Sequence, residues 1–374
     1  MASRTGVFEL FLHGGKAPYW LLSRMKRLAK GILKVMADDY GVEEILGRLS
    51  DPLWFQALAC VLAFDWDSSG TTTVTSAVLK SVSEEVDLGM KVAGGKGAHS
   101  RRAPADILAI GDEFNLSTQR VEELDYASRM SAKVDNTAIQ AGYQLYHHTI
   151  FISERGDWTV VQQGFNSETR TARRYHWLSK GLKSFVEEPH RGLVGQMTHG
   201  NVLNMTASMS EDCRKTCTDI VKMKTTKVRQ QYLSIRSVNQ ASLSQWVGES
   251  FGSEVCHHYG FIPENVNWKA LEEAYELSPK DYEGVLAVKG IGPATVRGLA
   301  LIAELIYGSK PSWRDPVRFS FAFGGKDGVP YPVNRRAMDE AIGRLRQAVE
   351  AAEIGNREKI EAIKRLRDFA PEAV

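Results

Sequence analysis

Cysteine is scarce in this chain. Four residues, Cys60, Cys213, Cys217 and Cys256, are scattered over 374 positions, which argues against a disulfide framework and suits a reducing compartment. The two-residue cysteine spacing of common zinc sites is missing. Cys213 and Cys217 stand one helical turn apart, which fits buried apolar thiols better than metal ligands. An excess of one charge is lacking too. With 47 Lys and Arg against 45 Asp and Glu, the formal net charge is +2, so a surface for a polyanion has to be a local patch. No apolar run approaches a membrane span, and the N-terminal residues carry no long apolar core of a secretory leader. A cytoplasmic protein with no membrane partner is expected. No supersecondary unit repeats in tandem, no cofactor is expected, and none of the glycine-rich stretches matches a nucleotide-binding P-loop.

What is present is ordinary globular composition, 43% apolar and 25% charged, long enough for two or three domains. The patterning predicts an α+β protein, predominantly α-helical. Residues 18–36 place Leu21, Leu22, Met25, Leu28, Ala29, Ile32, Leu33 and Met36 on one helical stripe, with Arg24, Lys26, Arg27, Lys30 and Lys34 elsewhere on the helix. Ser50-Asp51-Pro52 opens a second apolar helix, and the Ser/Thr-rich run from Asp67 to Thr73 reads as a loop and a new helix start. Two helices are expected between Ala103 and Lys133, capped near Pro104 and Ser117. The period then changes. Tyr143–Ser153 and Asp157–Gly164 are rich in aromatic and β-branched residues around a Glu154-Arg155-Gly156 turn, a β-hairpin signature. Residues 165–205 read as irregular. Residues 210–235 read as helical and basic, and the tail from Asn334 to Phe369 as one or two charged helices broken near Gly355-Asn356. The expected units are a helical region 1–134 with Gly-Gly-Lys loops, a β-hairpin and loop unit 135–205, and a helical region 206–374.

The strongest local signal lies in Leu286-Ala-Val-Lys-Gly-Ile-Gly-Pro-Ala-Thr-Val-Arg-Gly-Leu299. Glycines permit a tight turn, and Pro293 suits the first turn of a following helix because its missing N–H has no partner there. Free amides at the positive end of that helix form a site for a phosphate oxygen. The pattern resembles a helix-hairpin-helix motif over about 278–308, with Ser278 capping its first helix. Gly290, Gly292, Ala294, Thr295 and Arg297 are its candidate nucleic-acid contacts. Gly-Gly-Lys recurs at Gly14-Gly15-Lys16, Gly94-Gly95-Lys96 and Gly324-Gly325-Lys326. Paired glycines with a following lysine suit an anion, which makes Lys16 and Lys96 candidates. Arg170, Arg173 and Arg174 are further phosphate candidates. The expected partner is DNA, through its phosphate backbone, with RNA as an open alternative.

Several segments together carry a family resemblance: Leu12-His13-Gly14-Gly15-Lys16-Ala17-Pro18, Phe64-Asp65-Trp66-Asp67-Ser68-Ser69-Gly70-Thr71-Thr72-Thr73, Tyr146-His147-His148, Gln162-Gln163-Gly164, Ala172-Arg173-Arg174-Tyr175-His176-Trp177 and Gly324-Gly325-Lys326-Asp327-Gly328-Val329-Pro330. The chain resembles the archaeal and bacterial family called domain of unknown function 763, over nearly its full length. That resemblance implies a prokaryotic cytoplasmic protein and carries no reaction with it. Residues 240–325 also resemble the helix-hairpin-helix DNA glycosylases of base-excision repair. This second resemblance implies a catalytic carboxylate at Asp315, which would stabilise a cationic sugar or orient a water. The position of the strand-cleaving lysine in those enzymes is Ala294 here, and Lys326 is the candidate substitute.

Two other readings stand beside a DNA-repair glycosylase. His147, His148 and His176, with Gln162, Gln163 and either Asp135 or Asp157, could form a metal-dependent nuclease site. Alternation sends His147 and His148 to opposite faces, so only one of them can share a site with a given glutamine. Cys256-His257-His258 adds possible zinc ligands. Trp158, Tyr175, Trp177 and Trp246 would either stack on bases or anchor the core. The remaining alternative is a scaffold that binds DNA or RNA without chemistry.

Overall fold

The structure is a computed structural model and describes residues 19–62, 70–195, 197–240, 262–317, 335–352 and 354–369. Apolar residues at helical spacing build α1 (Tyr19–Tyr40), α2 (Val42–Leu49), α3 (Pro52–Val61) and α4 (Gly70–Glu85). Asp51 caps α3 by accepting the Leu53 amide at 2.9 Å, with Pro52 at the first helical position. Strand β1 (Met90–Lys96) follows, then a short 3-10 turn, α5 (Ala103–Glu113) and α6 (Thr118–Thr137). Ser117 caps α6 as expected, its hydroxyl accepting the Arg120 amide at 3.2 Å. Next come β2 (Ile139–Gln140), β3 (Gln144–Ser153), β4 (Trp158–Asn166), β5 (Thr171–Leu178), β6 (Gly192–Gly195) and β7 (Leu203–Asn204). Helices α7 (Glu211–Val221), α8 (Thr225–Gln240), α9 (Trp268–Leu277), α10 (Tyr282–Ala287) and α11 (Pro293–Leu305) lead to α12 (Arg335–Ala351) and α13 (Asn356–Phe369).

The fold is α+β with a five-stranded antiparallel sheet in the order β1-β3-β4-β5-β6, plus the two-stranded pair β2-β7. Helices cover both faces of the larger sheet. On one face Val92, Phe151, Val161 and Val194 share a core with α1–α4, α12 and α13. On the other, Ile150, Ile152, Val160, Tyr175, Trp177 and Leu193 share a core with α5–α11. Trp158, Tyr175 and Trp177 are core anchors. Cys60, Cys213 and Cys217 are buried free thiols, and the hydrogen bond with Cys213, together with burial, pushes the Cys217 thiol well up.

β1 pairs with β3, and α12 and α13 pack on α1 and α3. Two expectations change. Residues 165–205 are not wholly irregular, because β5 and β6 complete the sheet. Ser278 does not cap a following helix. It ends α9 in a left-handed conformation at φ 46°, and Asp281 caps α10 instead, accepting the Gly284 amide at 2.8 Å.

Candidate functional site

The bend between α10 and α11 is pinned from inside. Ile291 is fully buried between its two glycines. Asn267 ties the bend to α9: its Nδ2 donates to the Gly290 carbonyl at 3.2 Å and its amide donates to Thr295 Oγ1 at 3.1 Å. Gln140 Nε2 donates to the Pro293 carbonyl at 2.8 Å, and Lys133 Nζ to the Val288 carbonyl at 3.4 Å. Gly290 sits at φ +87°, where a Cβ would lie 2.8 Å from Asn267 Nδ2, so glycine is required there. Gly292 is different. It is extended, and nothing lies within 4 Å of a Cβ built on it. The amides of Gly290, Gly292, Ala294 and Thr295 have no acceptor among the described residues. Lys289, Gly290 and Pro293 are exposed, and Gly292 and Ala294 half-exposed. The bend thus offers unpaired donors at the positive end of a thirteen-residue helix.

Other expected contacts lie elsewhere. The Thr295 side chain is buried, and Arg297 is buried with its guanidinium over the Trp313 ring at 5.1 Å. Lys96 is exposed at the end of β1, above the Tyr146 ring at 6.0 Å. The Gly94-Gly95-Lys96 run is strand rather than loop, in register with Thr149, His148 and His147. Lys16, Lys326, Trp246 and Cys256-His257-His258 lie outside the described residues.

Arg173 and Arg174 are not surface phosphate ligands, because β5 lies inside a sheet covered on both faces, and both side chains are fully buried. Arg173 Nη2 donates to Asp315 Oδ2 at 2.6 Å, and its guanidinium stacks on Tyr143 at 4.5 Å. Burial works against the charge of Arg173, but Asp315 more than offsets it and holds the pKa above the ordinary value. Asp315 also accepts the amides of His199 at 2.9 Å and Val317 at 3.2 Å. Its carboxylate is therefore committed to a buried structural pair and does not face solvent beside the bend. Arg174 Nη2 donates to Gln56 Oε1 at 3.1 Å, and burial lowers its pKa to about 9.

The histidines sort by strand alternation. His147 pairs in register with Gln163 and His148 with Gln162, on opposite faces. His148 Nδ1 lies 2.7 Å from Gln162 Oε1, and its Nε2 lies 2.8 Å from Ser128 Oγ. His176 Nδ1 donates to the Leu49 carbonyl at 3.0 Å on the other side of the sheet. His147 is buried with neither ring nitrogen hydrogen-bonded, and burial, reinforced by His148 and Lys96, pushes its pKa down to about 3. These imidazoles do not converge. Among the described residues no group of three or more His, Cys, Asp or Glu side chains could hold a metal ion.

One grouping escaped the sequence. Asp135, fully buried on α6, accepts from Gln162 Nε2, from Trp177 Nε1 at 3.0 Å and from His190 Nε2 at 2.5 Å. Asp135 reaches His148 through Gln162 and not as a neighbouring ligand. Its imidazole partner, 55 residues away, lies on a loop that read as irregular.

A family model described as "Protein of unknown function (DUF763)" matches residues 6–333. No curated protein and no solved structure matches the chain. The match spans most of the sequence, including α1–α11 and the sheet, so the chain belongs to the DUF763 family.

Proposed function

We infer that the protein binds nucleic acid, most directly DNA, through the phosphate backbone at the bend between α10 and α11. The observation that carries this reading is the set of three acceptor-free amides, Gly290, Gly292 and Ala294, at an exposed bend beside Lys289. Backbone donors at a helix N-terminus take a phosphate oxygen without reading a base, so binding is expected to be sequence-independent. The near-neutral chain implies that few phosphates are neutralised and that affinity is modest at physiological salt. The pattern of glycines and buried isoleucine resembles a helix-hairpin-helix contact, a module used in DNA repair. Base-removing chemistry at Asp315 forms no part of this reading, since that carboxylate is engaged by Arg173.

The test is fluorescence anisotropy of labelled duplex DNA, single-stranded DNA and RNA over a salt series. Binding that weakens linearly on a log–log plot and falls further with Lys289→Ala supports the reading. Absence of binding at low ionic strength refutes it.

A further inference from the structure

The loop after β5 holds a second site. Residues 178–191 wrap a cavity of about 520 Å³, and His190 lines it. The buried Asp135 carboxylate accepts from His190 Nε2, which leaves Nδ1 as the ring nitrogen free for a ligand. Nδ1 makes no hydrogen bond among the described residues and is not one of the buried unpartnered atoms. The ring is fixed edge-on to Trp177, with centroids 4.6 Å apart. Lys180, Lys183 and Arg191 line the same cavity, are exposed, and form no ion pair among the described residues. The two carboxylates of the wall are drawn elsewhere, Glu187 to Arg214 at 3.4 Å and Glu188 to the Ser208 amide at 3.3 Å. The cavity therefore combines unpaired cations with one oriented imidazole nitrogen.

We propose that this cavity is a phosphomonoester site, in which Lys180, Lys183 and Arg191 receive the phosphate oxygens and His190 Nδ1 lies beside them. A phosphate monoester has a second pKa of about 6, so near neutrality it is largely dianionic. An internal phosphodiester carries one negative charge, so three cations favour monoesters over diesters. The ester is either a free small molecule or the terminal phosphate of a strand. The residues are separate from the bend, and the site stands whether or not the bend binds nucleic acid.

The experiment is isothermal titration of the full chain with phenyl phosphate, and with dimethyl phosphate as the diester control. Saturable binding of phenyl phosphate is expected, with the diester weaker by about tenfold or more, the usual effect of losing a charge-assisted hydrogen bond. The double variant Lys183→Ala/Arg191→Ala removes two exposed side chains, leaves the buried network intact, and is expected to weaken phenyl phosphate by about tenfold or more. Displacement of phenyl phosphate by a 5′-phosphorylated oligonucleotide, and not by its 5′-hydroxyl counterpart, assigns the site to strand ends. Displacement by neither assigns it to small esters. Equal binding of monoester and diester, unchanged affinity in the double variant, or no saturable binding of phenyl phosphate at millimolar concentration overturns the proposal.

Discussion

Replacing Gly292 with aspartate separates the stability of the bend from its capacity to take a phosphate. Gly292 is the N-cap of α11, extended at φ −113°, with no side-chain cap and open space where a Cβ would stand. Aspartate fits there without strain. Its carboxylate would accept the Ala294 amide, a donor otherwise offered to a ligand. Aspartate is better than glycine as an N-cap by only a few tenths of a kcal/mol, so the melting temperature should hold or rise by about 1 °C. Binding should move the opposite way. Losing a hydrogen bond to a charged phosphate costs about 1.5–3 kcal/mol, about ten- to a hundredfold in Kd, and the salt slope should fall by about one. Gly292→Ala is the control. It keeps the amides free and should stay within about 0.5 kcal/mol of the wild type. Anisotropy with labelled duplex DNA reads binding, and a thermal melt reads the fold. If Gly292→Asp melts normally and binds DNA as tightly as the parent, the amides of the bend are not the contact.

Arg173 and Asp315 should behave as one unit: Arg173→Met or Asp315→Leu alone leaves a buried charge unpaired and should cost about 3–5 kcal/mol in urea denaturation, whereas the double variant should recover most of the loss. Gly94→Ala should fail to accumulate as folded protein, since Gly94 sits at φ +85° with the His148 carbonyl oxygen 2.3 Å from the new Cβ; Gly97→Ala, at φ +60° with open space around it, should cost only about 1 kcal/mol. Burial lowers the pKa of His147, His148 and His176 below the ordinary 6.5. The unfolded chain therefore binds protons that the fold refuses, and stability present above pH 6.5 is lost as the pH falls toward about 3, the value for His147. Each imidazole contributes about 1.4 kcal/mol per pH unit within its window. Urea titrations at pH 7 and pH 5 measure the slope, and His147→Leu should flatten it while stabilising the fold, because both of its buried ring nitrogens lack partners. An unchanged slope would mean that His147 is protonated in the native protein.

The parts readable from sequence were those governed by local periodicity and caps. The stripe from Leu21 to Met36 places α1, Ser117 starts α6, and Gly355-Asn356 separates α12 from α13. The alternation of β3 and β4 also separates His147 from His148 and assigns each its glutamine. The glycine–isoleucine–glycine bend is equally local, since chain geometry within a few residues sets it. Strand β5 was hidden for the opposite reason. Thr171–Leu178 is buried on both faces and carries Arg173, Arg174 and His176, so no apolar alternation marks it. Those polar side chains are tolerable only because distant groups satisfy them, Asp315 at 142 residues' separation and Leu49 at 127. The Asp135–His190 pair is of the same kind: neither residue has a neighbour in sequence that announces the other, and only the docking of α6 against the sheet brings a buried carboxylate to a loop imidazole. Local periodicity settles where a chain coils or extends, and the cost of burying charge without a partner settles which remote residues must meet.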